Sequence, residues 1–156
     1  TEEVMQSAQS TFISSTYWTE RIGPTAAIAT IQKFMEKDVS SHLNEIGNQI
    51  QEIWKECAAA HDLDIHVSGL PALSHFSFNY TDGQAMITLF VQLMLTRGIL
   101  ASNRFYASYA HEQENVDEYR DACNDVFSEI SEAIQKGELE KVLRGPIAQS
   151  GFKRLN

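Results

Sequence analysis

The sequence predicts an α+β fold, in which a small, mostly antiparallel sheet is covered by helices on one face. Apolar and polar residues alternate in three short stretches, as in half-buried strands. Longer stretches around them place apolar residues at steps of three and four, as in amphipathic helices. Three short strands are stable only when helices cover one face. With 156 residues, 43% of them apolar, the chain is long enough to bury such a core.

The first helical pattern covers residues 24–60. The Gly23-Pro24 pair is typical of a position close to a helix start. Apolar residues then recur at helical steps as far as Cys57, which predicts one kinked helix or two helices in series. Residues 1–23 have no such period. Within them, residues 11–14 are interpreted as a short strand. Residues 1–30 fit the rest of the module poorly and are interpreted as part of an upstream segment.

The remaining elements follow from changes of period. Alternation predicts strands around residues 63–67, 76–80 and 105–109. An apolar helix face runs from Met86 towards Arg97-Gly98, a good helix end. Residues 114–135 form a second helical stripe that Lys136-Gly137 ends. A short helix at 138–143 and an irregular tail complete the prediction.

Charge and cysteine content narrow the functional classes. The formal net charge is −9 and the isoelectric point about 4.9, so a nucleic-acid partner is not expected. No apolar run approaches the ~20 residues that span a bilayer, so no membrane partner is expected either. Cys57 and Cys123 fall on apolar helix faces, which favours buried thiols in a reducing cytoplasm over a disulfide. The five histidines show no metal-ligand spacing.

Four segments, in order, resemble class III aminotransferases that depend on pyridoxal phosphate, glutamate-1-semialdehyde aminomutases among them. The first is residues 15–30, STYWTERIGPTAAIAT, similar to the family segment in which Gly-Thr precedes an Ala-rich helix. The second is residues 93–100, LMLTRGIL, and the third is residues 108–111, SYAH, similar to the family's Ser-x-Ala-His. The fourth is the long helix that follows. Together they indicate the C-terminal portion of such an enzyme.

The resemblance implies a fold type I enzyme that is a homodimer in its full-length form and binds pyridoxal 5'-phosphate. Residues 1–23 would end the large cofactor domain, residues 24–60 would be connecting helices, and residues 61–156 would be the C-terminal small domain. The catalytic lysine would lie upstream, so this chain alone would be inactive. Its own six lysines fall on polar helix faces or in the tail, where a Schiff-base lysine is not expected.

By the same resemblance, Ser15 and Thr16 occupy the Gly-Thr position, where the hydroxyl and backbone N–H groups bind the cofactor phosphate of the neighbouring subunit. A polar loop ahead of a helix suits an anion physically. The same residues could instead simply cap the helix. Tyr17 and Trp18 could line the partner's active site, although core or interface packing explains them equally well.

The substrate stays open, because the loop ahead of His111 differs from that of the aminomutases. Those enzymes carry a longer loop with Phe-Glu-Ala, whereas residues 101–105 here are shorter and lack the acidic residue. Asn103 and Arg104 stand there instead, and Arg104 could bind a substrate carboxylate bidentately or face solvent. His111 is interpreted as structural. An amino acid, a semialdehyde or an amino sugar therefore all remain possible substrates.

The missing lysine also motivates an alternative. An α+β domain without catalytic machinery could be a non-enzymatic interaction or regulatory domain. Such a domain would stay folded and monodisperse by itself, whereas a fragment that has lost a large partner domain would expose apolar surface.

Overall fold

The computed structural model of the chain describes residues 1–11, 17, 20–149 and 151. These residues form two compact units, residues 1–39 and residues 40–156. The strand predicted at residues 11–14 lies almost wholly outside the described residues. The predicted domain boundaries at residues 23 and 60 stay a prediction.

The first unit contains helix α1 (Glu2–Gln9) and helix α2 (Ile22–Glu36). Helix α1 was not predicted, because its few apolar residues make no long periodic stripe. It is stabilised locally, because the Thr1 hydroxyl accepts a hydrogen bond from the Val4 N–H at 3.4 Å. Two glutamates in the first turn also interact favourably with the positive end of the helix dipole. Neither helix buries a residue. Helix α2 therefore exposes its apolar stripe: Ile22, Ile28, Ile31, Phe34 and Met35.

Helix α3 (Val39–Ala60) follows α2 after a two-residue break. Asp38 adopts φ of +46°, a left-handed conformation that interrupts the helical hydrogen bonds. The structure thus confirms the second of the two forms predicted for residues 24–60, two helices in series.

The second unit contains strand β1 (Ile65–Leu70), strand β2 (Leu73–Phe78), helix α4 (Gly83–Thr96), strand β3 (Arg104–Tyr106) and helix α5 (Gln113–Gln135). The strands form one antiparallel sheet in the order β1-β2-β3. Strand β3 is shorter than predicted because residues 108–111 turn, with the His111 N–H donating to the Ser108 carbonyl at 3.0 Å.

The prediction of a helix at residues 138–143 is wrong. The segment forms turns, in which the Lys141 and Val142 N–H groups both donate to the Glu138 carbonyl. A single turn this short lacks the residues needed to propagate a helix. The tail instead runs along α4 through side-chain hydrogen bonds. Gln92 donates to the Val142 carbonyl at 2.9 Å and accepts from the Arg144 N–H at 2.7 Å.

Helices cover one face of the sheet, as predicted. The register pairs Ile65 with Phe78 and Val67 with Phe76, which places these apolar side chains together on the covered face. Strand alternation turns the intervening residues to the opposite face. There Leu70, Leu73 and Tyr106 form a cross-strand row, and each is at least half exposed.

The core is centred on Phe76, which is fully buried. Its ring lies 4.9 Å from Trp54, 5.2 Å from Phe90 and 5.9 Å from Phe127, centroid to centroid. These rings come from α3, α4 and α5, so one side chain of the central strand contacts all three covering helices. Aromatic pairs at such tilted geometries stabilise a core beyond their buried area.

Helices α3 and α5 run parallel along a shared seam, here called the α3–α5 seam. Within it, the Trp54 indole N–H donates to the Tyr119 hydroxyl at 2.8 Å, and both residues are buried. Nearer solvent, Arg120 pairs with Glu56 at 2.6 Å and His61 contacts Asn124 at 3.0 Å. No helix in the described part of the chain is both long and apolar enough to cross a membrane.

Candidate functional site

A cleft of about 800 Å³ opens in the second unit. Its walls are the segment that follows α4, strand β3 and the first turns of α5, with Ile50 contributed by α3. Apart from Ile50, the lining residues all lie between Gly98 and Tyr119, where the chain folds back on itself from the end of α4 through β3 to α5. Leu100 stands in this wall with 90% of its surface exposed, and Tyr106 with 64%.

Arg104 begins strand β3 and lines the cleft. Its backbone is held by Ser102, whose hydroxyl accepts from the Arg104 N–H at 3.1 Å and donates to the Arg104 carbonyl at 3.2 Å. Among the described residues, its guanidinium forms no hydrogen bond or ion pair. A positioned backbone with an unengaged, exposed guanidinium leaves a planar donor pair available to a carboxylate.

Asn103 is placed differently from Arg104. Its side-chain N–H donates to the Phe76 carbonyl at 2.9 Å, while its own carbonyl accepts from the Phe76 N–H at 3.0 Å. The residue therefore extends the pairing of β3 with β2, and it does not line the cleft. Its sequence-based role in substrate binding stays a prediction, with one amide hydrogen already engaged.

His111 lines the cleft, although the sequence suggested only a structural role. Its Nδ1 accepts a hydrogen bond from the Ser108 N–H at 3.0 Å, and its ring stacks on Phe105 at 5.1 Å. An Nδ1 that accepts a backbone hydrogen bond carries no proton, so the neutral ring is protonated on Nε2. The cleft thus holds a second oriented donor, which only the tertiary fold reveals.

Helix α5 adds a carboxylate and a phenol to the same walls. Glu118 is exposed and lines the cleft beside the buried Tyr119. Burial holds the pKa of Tyr119 well above its ordinary value of 10, so this phenol stays neutral. Arg104 on one wall and Glu118 on another thus give the cleft one basic and one acidic side chain.

The other predicted site residues lie outside the second unit. Ser15, Thr16 and Trp18 fall outside the described residues. Tyr17 belongs to the first unit, with 72% of its surface exposed. The predicted roles of all four in cofactor or substrate binding stay predictions.

The six lysines of the chain are the candidates for holding the cofactor as a Schiff base. Lys33, Lys37, Lys55, Lys136 and Lys141 are all exposed, and Lys153 lies outside the described residues. Three of them pair with glutamates on their own helix or turn. None of the described lysines lines the cleft.

That the Schiff base of pyridoxal phosphate is formed by a lysine outside the described residues stays a prediction. The described residues contain no group of three or more His, Cys, Asp or Glu side chains that could hold a metal ion.

Comparison with known proteins shows a likeness in structure, although none in sequence. No family model matches the sequence, and no curated protein matches it. A solved structure described as the PLP internal aldimine form of the FumI protein of Sphingopyxis sp. MTA144 shares the fold, with a TM-score of 0.75 and 19% sequence identity. The match covers 86% of this chain and 33% of that chain, so this chain corresponds to only about one third of the neighbour's length. The α+β fold of this chain is thus similar to a portion of a pyridoxal-phosphate enzyme.

Proposed function

We propose that this chain is the C-terminal portion of a pyridoxal-phosphate-dependent aminotransferase or aminomutase of class III, with fold type I. Such an enzyme moves an amino group on an amino acid, a semialdehyde or an amino-sugar-like substrate. Its catalytic lysine would lie upstream of Thr1. The proposal rests above all on the fold shared with about one third of an internal-aldimine structure.

Two observations on this chain support the proposal. The cleft holds an unengaged guanidinium, as expected of a site that binds a substrate carboxylate. Helix α2 and the outer face of the sheet also expose apolar side chains that a larger protein would cover.

Arg104 has a defined task in this proposal. Pyridoxal phosphate, when bound, supplies an electron sink for the carbon that carries the amino group. The guanidinium of Arg104 would bind the substrate carboxylate and so orient that carbon, which lowers the entropic part of the barrier. The Nε2–H of His111 and the carboxylate of Glu118 would contact further polar groups of the substrate.

The assembly is also part of the proposal. Ser15 and Thr16 would bind the cofactor phosphate of the neighbouring subunit, so the full-length enzyme would be a homodimer. Tyr17 and Trp18 would lie near the same site. The two free, buried thiols support a cytoplasmic location.

The test uses the complete gene product. The purified protein should carry a visible Schiff-base chromophore that borohydride abolishes, and peptide mapping should then find the reduced cofactor on a lysine upstream of residue 1. The 156-residue chain, treated in the same way, is the control and should show no stoichiometric label and no transamination. A colourless complete protein, or a specific label on one of the six lysines here, would refute the proposal.

The alternative is a non-enzymatic interaction or regulatory domain. Its supporting observation is the exposed cross-strand row of Leu70, Leu73 and Tyr106 on the second unit, which has its own core. If the complete gene product lacks a cofactor-binding lysine but the chain is monodisperse and binds a protein partner, this alternative replaces the enzyme.

A further inference from the structure

The exposed face of the sheet carries a row of polar side chains that begins at the cleft. The register pairs Ser68 with His75, and His75 with Arg104, so these three residues cross β1, β2 and β3 in a line. Strand alternation turns all three side chains away from the buried Phe76. Arg104 also lines the cleft, whereas His75 lies one strand further from it. The line of Ser68, His75 and Arg104 is here called the basic row.

The pairing of β2 with β3 places His75 and Arg104 directly opposite each other. The Phe76 N–H donates to the Asn103 carbonyl at 3.0 Å, so a ladder hydrogen bond joins this neighbouring pair. Hydrogen-bonded and non-hydrogen-bonded pairs alternate along an antiparallel ladder, which makes His75 and Arg104 a non-hydrogen-bonded pair. In such pairs the two Cβ atoms approach to about 5 Å. A charge on the His75 imidazole therefore acts on any anion that Arg104 binds.

Contacts with β1 hold the His75 imidazole on this face. Its Nε2 lies 3.0 Å from the Ser68 hydroxyl, which can accept a hydrogen bond from a protonated ring and donate one to a neutral ring. Its Nδ1 lies beside Gly69, where an added Cβ would stand only 3.2 Å away. Gly69 thus leaves the space that the ring occupies, and its φ of +97° is a conformation that glycine adopts readily. The imidazole is therefore held in place whether or not it is charged.

The exposed sheet face is basic, although the chain as a whole is acidic with a formal net charge of −9. The outward-facing residues of the three strands include two histidines and one arginine, but no aspartate or glutamate. Asp64, just ahead of β1, accepts a hydrogen bond from the Asn79 side chain at 2.9 Å. Glu118 borders the cleft from α5 and, among the described residues, forms no ion pair with Arg104. The described residues therefore leave the positive charge of the basic row without a paired carboxylate.

We propose that the basic row binds an oxyanion, either a carboxylate or a phosphate group. Arg104 holds it through the paired N–H donors of its guanidinium, and a protonated His75 adds a second positive charge. Like charges directly opposite each other destabilise a sheet, and a bound anion offsets their repulsion. Histidine gains its charge as the pH falls through neutrality, so binding strengthens in the same direction. The site needs neither the cofactor nor the reaction proposed above, but within that enzyme it would bind the acidic group of the substrate.

The test titrates the 156-residue chain with sodium sulfate or with sodium acetate at constant ionic strength. Sulfate represents a phosphate group because it is tetrahedral and keeps its charge between about pH 6 and pH 8, while acetate represents a carboxylate. Two-dimensional NMR follows the backbone amide signals of β2 and β3. At least one anion should saturate these signals, with a Kd about threefold lower at pH 6 than at pH 8. Saturation by sulfate alone would support a phosphate ligand, and saturation by acetate alone a carboxylate.

Three variants at exposed positions separate the roles of the side chains. Arg104→Gln should raise the Kd at least about tenfold, because the paired donors are lost. His75→Gln should raise the Kd about threefold at pH 6 and leave it unchanged at pH 8. His66→Gln is the matched control, because His66 lies on the same face opposite Ser77, beyond the end of β3. This control should leave the Kd unchanged at both pH values.

Three outcomes would overturn the proposal. The signals move without saturation, which indicates an adventitious ion only; the Kd is the same at both pH values; or His75→Gln and His66→Gln change the Kd equally. Unchanged dispersion of the amide signals shows that each variant folds, and the wild-type titration stands without the variants. The titration contains no cofactor, so its failure would leave the Schiff-base test of the complete gene product unaffected.

Discussion

Replacing Gly47 by alanine tests how closely α3 packs against the turn between β1 and β2. Gly47 is a buried residue of α3, and a Cβ built on it would lie 1.9 Å from the carbonyl oxygen of Pro71 and 2.2 Å from its carbon. Real Cβ atoms essentially never approach within 3.0 Å, so the turn between β1 and β2 would have to move by at least 3.0 − 1.9 = 1.1 Å. The obstacle is backbone, which cannot rotate away as a side chain can.

The magnitude follows from two opposing effects. Glycine to alanine inside a helix normally stabilises it by about 1 kcal/mol. Forcing an extra carbon into a packed interior costs about 1–3 kcal/mol, occasionally more, and a contact this short belongs at the upper end. The second residue of the turn, Ala72, also accepts the Ala107 N–H at 3.0 Å, so the shift would disturb the hydrogen bond that joins the turn to the end of β3. We expect Gly47→Ala to lower the free energy of unfolding by about 2 kcal/mol or more.

Urea denaturation followed by tryptophan fluorescence measures this change, because Trp54 is fully buried. Asn48→Ala is the matched control, since Asn48 is the next residue of α3 but is exposed. It should leave stability unchanged or raise it by about 0.5 kcal/mol through helix propensity. If Gly47→Ala proves as stable as Asn48→Ala with an unchanged denaturant slope, the close approach does not exist and the packing of α3 on the turn is wrong.

The remaining predictions concern the seam and the cleft. Tyr119→Phe removes the acceptor of the buried Trp54 N–H and should cost about 1–3 kcal/mol in urea denaturation; a loss below about 0.5 kcal/mol would contradict that hydrogen bond. The folded pKa of Tyr119 is raised above 10, so the unfolded chain releases the proton first. Stability should be intact below pH 10 and fall above it by up to about 1.4 kcal/mol per pH unit, a fall that Tyr119→Phe abolishes. In the complete enzyme, Arg104→Gln should raise the KM for a carboxylate substrate about 10- to 100-fold, since hydrogen bonds to charged groups contribute about 1.5–3 kcal/mol. Arg144→Gln, on the exposed tail, should leave the KM unchanged, and equal KM values for both variants would exclude the role of Arg104.

Most elements of the second unit were predictable because their apolar residues keep one period. The apolar stripe of α5 follows directly from the burial of one face of the helix. The alternation of buried Phe76 and Phe78 with exposed residues follows in the same way from the burial of one face of β2. Helix α1 was not predicted because an exposed, capped helix forms without the apolar stripe by which a sequence pattern indicates a helix. The prediction of a helix at residues 138–143 was wrong because this segment forms turns. Hydrogen bonds with the Gln92 side chain there take the place of helical backbone hydrogen bonds.

The candidate site was predictable only in part. Arg104 could be named because a cation in the loop ahead of His111 is visible as sequence. His111 as a cleft donor could not, since its tautomer depends on the Ser108 N–H and on Phe105, which the chain positions only after it turns. Glu118 could not be separated from the other carboxylates of α5, because sequence does not say which helix face borders the cleft.

The sequence by itself determined the fold class and the strand faces, because these depend on residue type and on local period. Only the tertiary structure decided which distant residues meet. The hydrogen bond of Trp54 to Tyr119 and the close approach of Gly47 to Pro71 both depend on how α3 packs. Such contacts are set by close packing in three dimensions, and no local pattern along the chain records them.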